Sequence, residues 1–98
     1  GVTPNNDGMV IRRPFPQLTE ERRRELAKQC RTYAEESRVA VRNARRDANG
    51  AIEKAQKNEG LPEDEAKRAE EQVQKMTDKH VADIDAALKA KEAEVMEV

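Results

Sequence analysis

Arginine is the residue type whose spacing in this sequence could support chemistry. Residues 37–47 read Ser-Arg-Val-Ala-Val-Arg-Asn-Ala-Arg-Arg-Asp, with no acidic residue from position 38 to position 46. A guanidinium presents a planar fork of donors that matches phosphate oxygens. At 100° per residue of an α-helix, four arginines lie within roughly 60° of one another and away from the expected apolar face. The pattern predicts an outward, phosphate-binding stripe of Arg31, Arg38, Arg42 and Arg45, and Arg46 is a further candidate.

Two interpretations of this stripe stay open on the residues alone. Runs of charge are commonly solvated helix faces that need no ligand. If the ligand is RNA, the two aromatic residues, Phe15 and Tyr33, are too few for base stacking, so recognition would be of backbone and shape. Arg23 is also a candidate, but it lies nearer the apolar side of the same helix, where a boundary residue paired within the bundle is the simpler interpretation.

The inventory of reactive side chains argues against catalysis. The sequence has one histidine, His80, and one cysteine, Cys30, and it contains no CxxC, HExxH or glycine-rich phosphate loop. Both residues occupy apolar-face positions, so we expect a seam histidine hydrogen-bonded to a neighbour and a cysteine that packs as a small hydrophobe. We predict no enzyme activity, no catalytic or metal-binding residue, no cofactor and no small-molecule substrate.

Two long helices would position the arginines. Thr19 is an expected N-cap, and the Gly60-Leu61-Pro62 run marks a stop and a restart. The spacing predicts a helix over about 19–58, a turn over about 59–61 and a helix over about 62–96. The expected apolar faces are Leu26, Cys30, Tyr33, Ser37, Ala40, Ala44, Ala48, Ile52 and Ala55 in the first helix, and Ala66, Ala69, Val73, Met76, His80, Ile84, Ala87 and Val95 in the second.

Residues 1–18 are expected to form a short extended lead-in. Residues 4–8, Pro-Asn-Asn-Asp-Gly, suit a tight turn, and residues 9–11 are a candidate short strand. Each proline of the Pro-Phe-Pro run fixes its own φ and restricts the residue before it, which forces an extended path. Pro14, Pro16 and Gln17 are the predicted hinge.

Composition and charge favour an all-α protein. Charged residues make up 40% of the 98-residue chain, as in long amphipathic helices. Residues 19–58 carry 11 Lys/Arg and 7 Asp/Glu, whereas residues 62–98 carry 6 and 11, which favours antiparallel pairing. Two helices with so few large apolar residues would cover only part of each other. We predict a long antiparallel two-helix hairpin, part of an incomplete three-helix bundle, in the cytoplasm and without a membrane span.

Several runs of this sequence resemble the ribosome recycling factor family. They are Pro-Asn-Asn-Asp-Gly at 4–8, Ile-Arg at 11–12, Pro-Phe-Pro-Gln-Leu-Thr-Glu-Glu-Arg-Arg at 14–23, Val-Arg-Asn-Ala-Arg-Arg-Asp-Ala at 41–48 and Lys-Glu-Ala-Glu-Val-Met-Glu-Val at 91–98. They follow in the family's order over essentially the whole chain, and the Leu-Thr-Glu-Glu-Arg-Arg and Val-Arg-Asn-x-Arg-Arg-Asp runs are specific to the family.

The resemblance implies a translation factor that, with elongation factor G and GTP, separates ribosomal subunits after termination. It implies a three-helix rod that lies against the 23S-type RNA of the large subunit and is joined through a hinge to a small β domain. Arg23, Arg42 and Arg45 match family positions associated with ribosome binding. The family's N-terminal helix and most of its β domain have no counterpart here, so we expect a fragment in which residues 1–18 are the remnant of the β domain and hinge and residues 19–98 are the helical hairpin.

Two functions of different kinds are therefore compatible with the sequence. The first is binding of large-subunit ribosomal RNA through the arginine stripe. The alternative is a helical-hairpin interaction module that docks a partner helix on its alanine-rich stripe and binds no nucleic acid.

Overall fold

The computed structural model describes residues 18–97 as an all-α hairpin. Helix α1 spans Glu20–Asn58 and helix α2 spans Glu63–Met96, and contacts near the start of α1 with the end of α2 make the pair antiparallel. At 1.5 Å per residue, α1 is roughly 58 Å long. Neither helix has the long apolar window that a membrane crossing needs. The predicted all-α hairpin is confirmed, whereas the expected lead-in, including Pro14, Pro16 and Gln17, lies outside the described residues.

Both helices begin with a defined cap. Thr19 is extended, with φ −72° and ψ 160°, and its Oγ1 accepts the Arg22 N–H at 3.0 Å. Pro62 is also extended, with φ −63° and ψ 149°, and its carbonyl accepts the Ala66 N–H at 2.9 Å. Pro62 therefore stands just before α2 instead of inside its first turn. The first turns carry Glu20 and Glu21 in α1 and Glu63, Asp64 and Glu65 in α2, where the helix dipole favours negative charge.

Gly60 makes the turn between the helices possible. Its φ of +74° lies in the left-handed region, which glycine adopts without steric cost. The Glu59 and Leu61 N–H groups both donate to the Ala55 carbonyl, at 2.9 and 3.2 Å. These bonds satisfy one of the carbonyls left open at the end of α1.

The two helices meet through small side chains. Ala27, Ala34 and Ala66 are the buried hydrophobic residues of the described part of the chain, and larger residues such as Val41 and Ile84 are half-buried. Alanine lets two helix backbones approach closely, but it removes little apolar surface from water. The core of the hairpin is therefore a narrow seam.

The face of α1 that meets α2 differs from the predicted one by a rotation of roughly 60° toward the arginines. Tyr33 is 66% exposed, and Ala40 and Ala44 are also exposed. Ala27 and Ala34, which the predicted face omitted, are buried. The apolar positions of α1 span a wider arc than one helix can cover, and the covered part lies beside arginines that contact α2.

The rotation leaves one side of the seam uncovered. On α2, Met76 is 60% exposed, and His80 and Ala87 are exposed as well. A shallow groove of about 260 Å³ opens here, with Ala44 and Ala48 of α1 and Val73 and Met76 of α2 among its lining residues. We call this side the apolar flank, and it comprises Tyr33, Ala40, Ala44, Met76, His80 and Ala87.

The two glycines of the hairpin should respond oppositely to alanine. Gly50 lies inside α1, and a Cβ built there meets nothing within 4 Å, so Gly50→Ala should stabilise the hairpin by ~0.5–1 kcal/mol. Gly60→Ala should destabilise it by ~1–2 kcal/mol, because alanine is strained at φ +74°. Thermal unfolding followed by circular dichroism measures both. A lower Tm for Gly50→Ala would contradict the continuous helix through this position.

Candidate nucleic-acid interface

Arginines of α1 contact acidic side chains of α2 at an interval of seven residues. Arg31 Nη1 donates to Glu92 Oε2 at 2.6 Å. Arg38 Nη1 donates to Asp85 Oδ1 at 2.6 Å. Each contact joins the two helices on the same edge of the seam, because seven residues is close to two helical turns.

A third contact at the same interval passes through an amide. Arg45 Nη1 donates to Gln74 Oε1 at 3.1 Å, and Gln74 Nε2 donates to Asp78 Oδ1 at 2.9 Å. Asp78 precedes Asp85 by seven residues, as Asp85 precedes Glu92. The acidic residues of α2 thus repeat with the same spacing as the arginines they face, which fixes the register of the hairpin.

The arginines therefore lie at an edge of the hairpin and not on its outer face, contrary to the sequence prediction of an outward stripe. The side chain of Arg38 is 21% exposed, whereas those of Arg31 and Arg42 are 57% and 48% exposed. Arg31 and Arg42 are exposed as predicted, whereas Arg38 and Arg45 are half-buried. For these two the prediction was wrong, because it placed the packing face of α1 too far from the arginines. We call this surface the arginine edge, and it comprises Arg31, Arg38, Arg42, Arg45 and Arg46.

Glu35 links two members of the arginine edge. Its Oε1 accepts from Arg38 Nε at 3.1 Å, and its Oε2 accepts from Arg42 Nη2 at 3.0 Å. The hydrogen bond from Arg38, followed by that from Arg42, lowers the pKa of Glu35 below its ordinary value of 4.5. The hydrogen bond to Glu35, reinforced by Asp85, raises the pKa of Arg38. Arg38 is thus held by acids on both helices, while Arg42 is held by one acid of its own helix.

A polar groove of about 540 Å³ lies at the end of the arginine edge that is nearer the turn between the helices. We call it the distal groove, and it is lined by Val39, Arg42, Asn43, Arg45, Arg46, Asn49, Gly50, Glu53 and Glu70. Arg46 is exposed and makes no ion pair within residues 18–97. Three guanidinium groups therefore line one groove, and the acids of that groove are not hydrogen-bonded to them in the described part of the chain.

Arg23 stands apart from the arginine edge. It is half-buried, and its Nε is shielded from solvent without a hydrogen-bond partner among the described residues. The expected pairing of Arg23 within the bundle is therefore not observed in residues 18–97. Asn49 Oδ1, in the wall of the distal groove, is shielded in the same way.

His80 and Cys30 occupy different environments from each other. His80 is exposed, and its Nδ1 lies 2.8 Å from the Met76 carbonyl of its own helix. A carbonyl only accepts, so Nδ1 carries the proton in this contact. The expected hydrogen bond of His80 to a neighbour is present. Its expected place in the seam was wrong, because α2 turns this residue toward the apolar flank. Cys30 is half-buried beside the seam. Among residues 18–97, no group of His, Cys, Asp and Glu is arranged to hold a metal ion.

Several polar residues that shape the site were missed from the sequence. Glu35, Asp85 and Glu92 hold arginines directly, and Gln74 relays Arg45 to an acid. The seven-residue repeat shared by the arginines of α1 and the acids of α2 is visible in the sequence and would have identified these contacts. Glu35 and Arg38 are three residues apart on one helix, a spacing at which side chains meet, and this spacing could have identified Glu35.

A long helical hairpin with arginines along one edge defines an elongated α-helical protein with a candidate polyanion-binding surface. The sequence profile of the family described as Ribosome recycling factor matches residues 1–96. The chain therefore belongs to the ribosome recycling factor family.

Individual relatives agree with the family match. The ribosome-recycling factors of Geobacillus thermodenitrificans and Desulforamulus reducens are 60% and 58% identical to this chain over 98 residues. That of Symbiobacterium thermophilum is 54% identical over the same length. Each alignment covers 100% of this chain and 53% of the relative. The chain thus spans about half the length of the curated relatives it matches.

The lowered pKa of Glu35 predicts a pH-dependent contribution to stability. The contribution is fully present above about pH 4.5, where Glu35 is ionised in both states, and it is lost as the pH falls through the lower pKa of the folded state. Glu35→Gln should therefore lower the Tm at pH 7, and the difference from the parent should shrink below pH 4.5. Thermal unfolding between pH 3 and pH 7 measures this.

The matched control for that experiment is Glu36→Gln. Glu36 is the next residue, is exposed, and makes no ion pair within residues 18–97, so its substitution should leave the Tm unchanged. A Tm difference for Glu35→Gln that stays constant down to pH 3 would contradict the assigned role of its carboxylate.

Proposed function

We propose that this chain is the RNA-contacting arm of a ribosome recycling factor, and that it binds large-subunit ribosomal RNA through the arginine edge. The observation that carries the proposal is the distal groove, in which Arg42, Arg45 and Arg46 face one space in a chain of this family. Guanidinium groups in such an arrangement suit phosphate oxygens.

The members of the arginine edge differ in how readily they could meet phosphate. Arg31 and Arg38 are each engaged by acids of α2, so a phosphate would have to displace a carboxylate. Arg42 is held by Glu35 on its own helix, and Arg46 makes no ion pair within the described residues. We therefore assign the main RNA contacts to Arg42, Arg45 and Arg46, and supporting roles to Arg23, Arg31 and Arg38.

The composition supports recognition of RNA backbone and shape in preference to bases. Aromatic residues make up 2% of the chain, and base stacking on single strands requires aromatic platforms. Arginine and asparagine side chains, which line the distal groove, can donate to phosphates and 2′-hydroxyls across a wide minor groove. The ligand best suited to this groove is thus a folded RNA segment.

The name of the relatives, together with the resemblance, extends the proposal to the whole protein. A full-length factor of this family would act with elongation factor G in the cytoplasm to separate ribosomal subunits after termination. Residues 1–18 would then be the end of the β domain and the hinge, and residues 19–98 the helical arm. A further helix would cover the apolar flank and complete a three-helix rod.

A second candidate function rests on the apolar flank. Tyr33 and Met76 are both more than half exposed, and Ala44, Val73 and Met76 line a shallow, mainly apolar groove of about 260 Å³. This arrangement favours docking of a partner helix without nucleic acid.

Arg45 lines both the apolar groove and the distal groove, whereas Arg42 and Arg46 line the distal groove and not the apolar one. Variants of Arg42 and Arg46 therefore separate the two functions.

Binding to large ribosomal subunits should depend steeply on salt. Each neutralised phosphate contributes a slope of about −0.7 to −0.9 to log K against log[salt]. Arg42→Ala/Arg46→Ala should reduce the magnitude of that slope by about 1.4–1.8 and weaken binding about tenfold at low salt. Retention by purified subunits across a salt series measures both quantities.

The matched control is Arg22→Ala/Lys54→Ala, which removes the same charge from α1 outside the distal groove. Arg22, like Arg42, loses one ion pair with its own helix. The control should bind like the parent. If the parent and the Arg42→Ala/Arg46→Ala variant bind equally well and independently of salt, RNA binding is contradicted. Concentration-dependent association of the chain without RNA would then favour docking of a partner helix.

A further inference from the structure

Two pairs of basic residues on α1 are separated by five helical turns. Arg24 and Lys28 are four residues apart, as are Arg42 and Arg46, and the second pair follows the first by eighteen residues. Eighteen residues at 100° per residue is a whole number of turns, so both pairs lie on the same side of α1. The rise between them is about 27 Å.

The first pair has its own groove. A recess of about 640 Å³ is lined by Arg24, Ala27, Lys28 and Arg31 of α1 and by Glu92, Ala93 and Met96 of α2. We call it the proximal groove. It lies on the same edge of the seam as the distal groove, because the Arg31–Glu92 ion pair that begins the arginine edge forms part of its wall.

The basic residues of the proximal groove are only weakly engaged within the protein. Arg24 Nη2 lies 3.5 Å from Glu20 Oε1, and the Arg24 side chain is 73% exposed. Lys28 makes no ion pair within the part of the chain that the structure describes. Neither residue is needed to hold the hairpin together.

Charges between the two pairs are largely compensated. Arg31 is paired with Glu92, and Arg38 is paired with Glu35 and Asp85. The two pairs, in contrast, make no ion pair with α2 within the described residues, although Arg24 and Arg42 each contact one acid of α1. A separation of about 27 Å exceeds the Debye length of about 8 Å at physiological salt, so each pair acts on nearby phosphates on its own.

We propose that Arg24 and Lys28 form a second contact with RNA backbone, on the same ribosomal particle as the distal groove. The inference rests on the proposed function, since it adds a second RNA segment to that binding surface. The helix between the pairs is continuous, so α1 acts as a rigid spacer that sets the distance between the two phosphate contacts. Two contacts on one rigid body bind more tightly than either alone.

The test compares four proteins for retention by purified large subunits across a salt series: the parent, Arg24→Ala/Lys28→Ala, Arg42→Ala/Arg46→Ala, and the fourfold variant. Each double variant should reduce the slope of log K against log[salt] by about 1.4–1.8 and weaken binding about tenfold at low salt. The fourfold variant should show the sum of the two changes, because sites so far apart are independent.

Two further variants separate a local contact from an effect of net charge or folding. Arg22→Ala/Lys54→Ala, with the same loss of charge, should bind like the parent. Arg24→Lys/Lys28→Arg preserves the charge and should also bind like the parent. Circular dichroism should give the same helix content for all variants, since alanine, lysine and arginine are all good helix formers.

The outcomes distinguish this inference from the proposed function. If Arg24→Ala/Lys28→Ala binds like the parent while Arg42→Ala/Arg46→Ala binds more weakly, the second contact is refuted and the distal groove keeps its function. If the parent itself shows no salt-dependent binding, both are refuted. If the Arg22→Ala/Lys54→Ala control loses as much affinity as the other double variants, net charge explains the losses and the second contact is refuted.

Discussion

The narrow alanine seam between α1 and α2 is the constraint on which the rest of the hairpin depends. Because Ala27, Ala34 and Ala66 are its buried hydrophobic residues in the described part of the chain, each helix covers only a small arc of the other. Apolar contact of this kind fixes orientation poorly. The ion pairs from Arg31 and Arg38 to α2 supply the missing orientation, and they draw the arginine edge toward the seam. The apolar flank is left uncovered as a direct result.

In this arrangement the basic residues of α1 have two different roles. Those that face α2 at seven-residue intervals organise the hairpin, and exposed ion pairs of this kind contribute little stability individually. Arg42 and Arg46 lie further round α1 from the seam and make no ion pair with α2 in the described part of the chain. Arg42 is held by Glu35 of its own helix, and Arg46 is exposed. The acids of α2 also limit the positive potential of the edge. In the proposed function, RNA would therefore approach where the acids are fewest, which would favour specific contacts over general electrostatic attraction.

Much of the fold could be predicted from the sequence because its signals are local. Thr19 caps α1 by a bond to a residue three positions away, and Gly60 adopts the backbone conformation that glycine favours. The predicted helix limits, about 19–58 and about 62–96, differ from the observed ones by no more than a residue. Helical periodicity also identified the arginines that share one side of α1.

The orientation of the arginines could not be predicted in the same way. Periodicity locates the apolar arc of α1, but this arc is wider than the surface that α2 can cover. Which part of the arc is covered depends on how α2 packs against it. The exposure of Tyr33 and the burial of Ala34 are consequences of that packing. Arg38 was expected to point outward and instead bridges Glu35 and Asp85. Contacts between distant residues, such as Arg45 with Gln74, depend on the register of α1 against α2. The spacing of the charged residues indicates this register, whereas apolar periodicity does not.

The central claim is that the edge of α1 carrying Arg42 and Arg46 faces ribosomal RNA. Hydroxyl-radical cleavage from an iron chelate tethered to the chain on large subunits tests it directly. In a Cys30→Ser background, the chelate would be attached through Val39→Cys beside the distal groove, or through Lys75→Cys on the exposed side of α2. We expect strong RNA cleavage from position 39 and little from position 75. Equal cleavage from both positions, or none from position 39 by bound protein, would contradict the account.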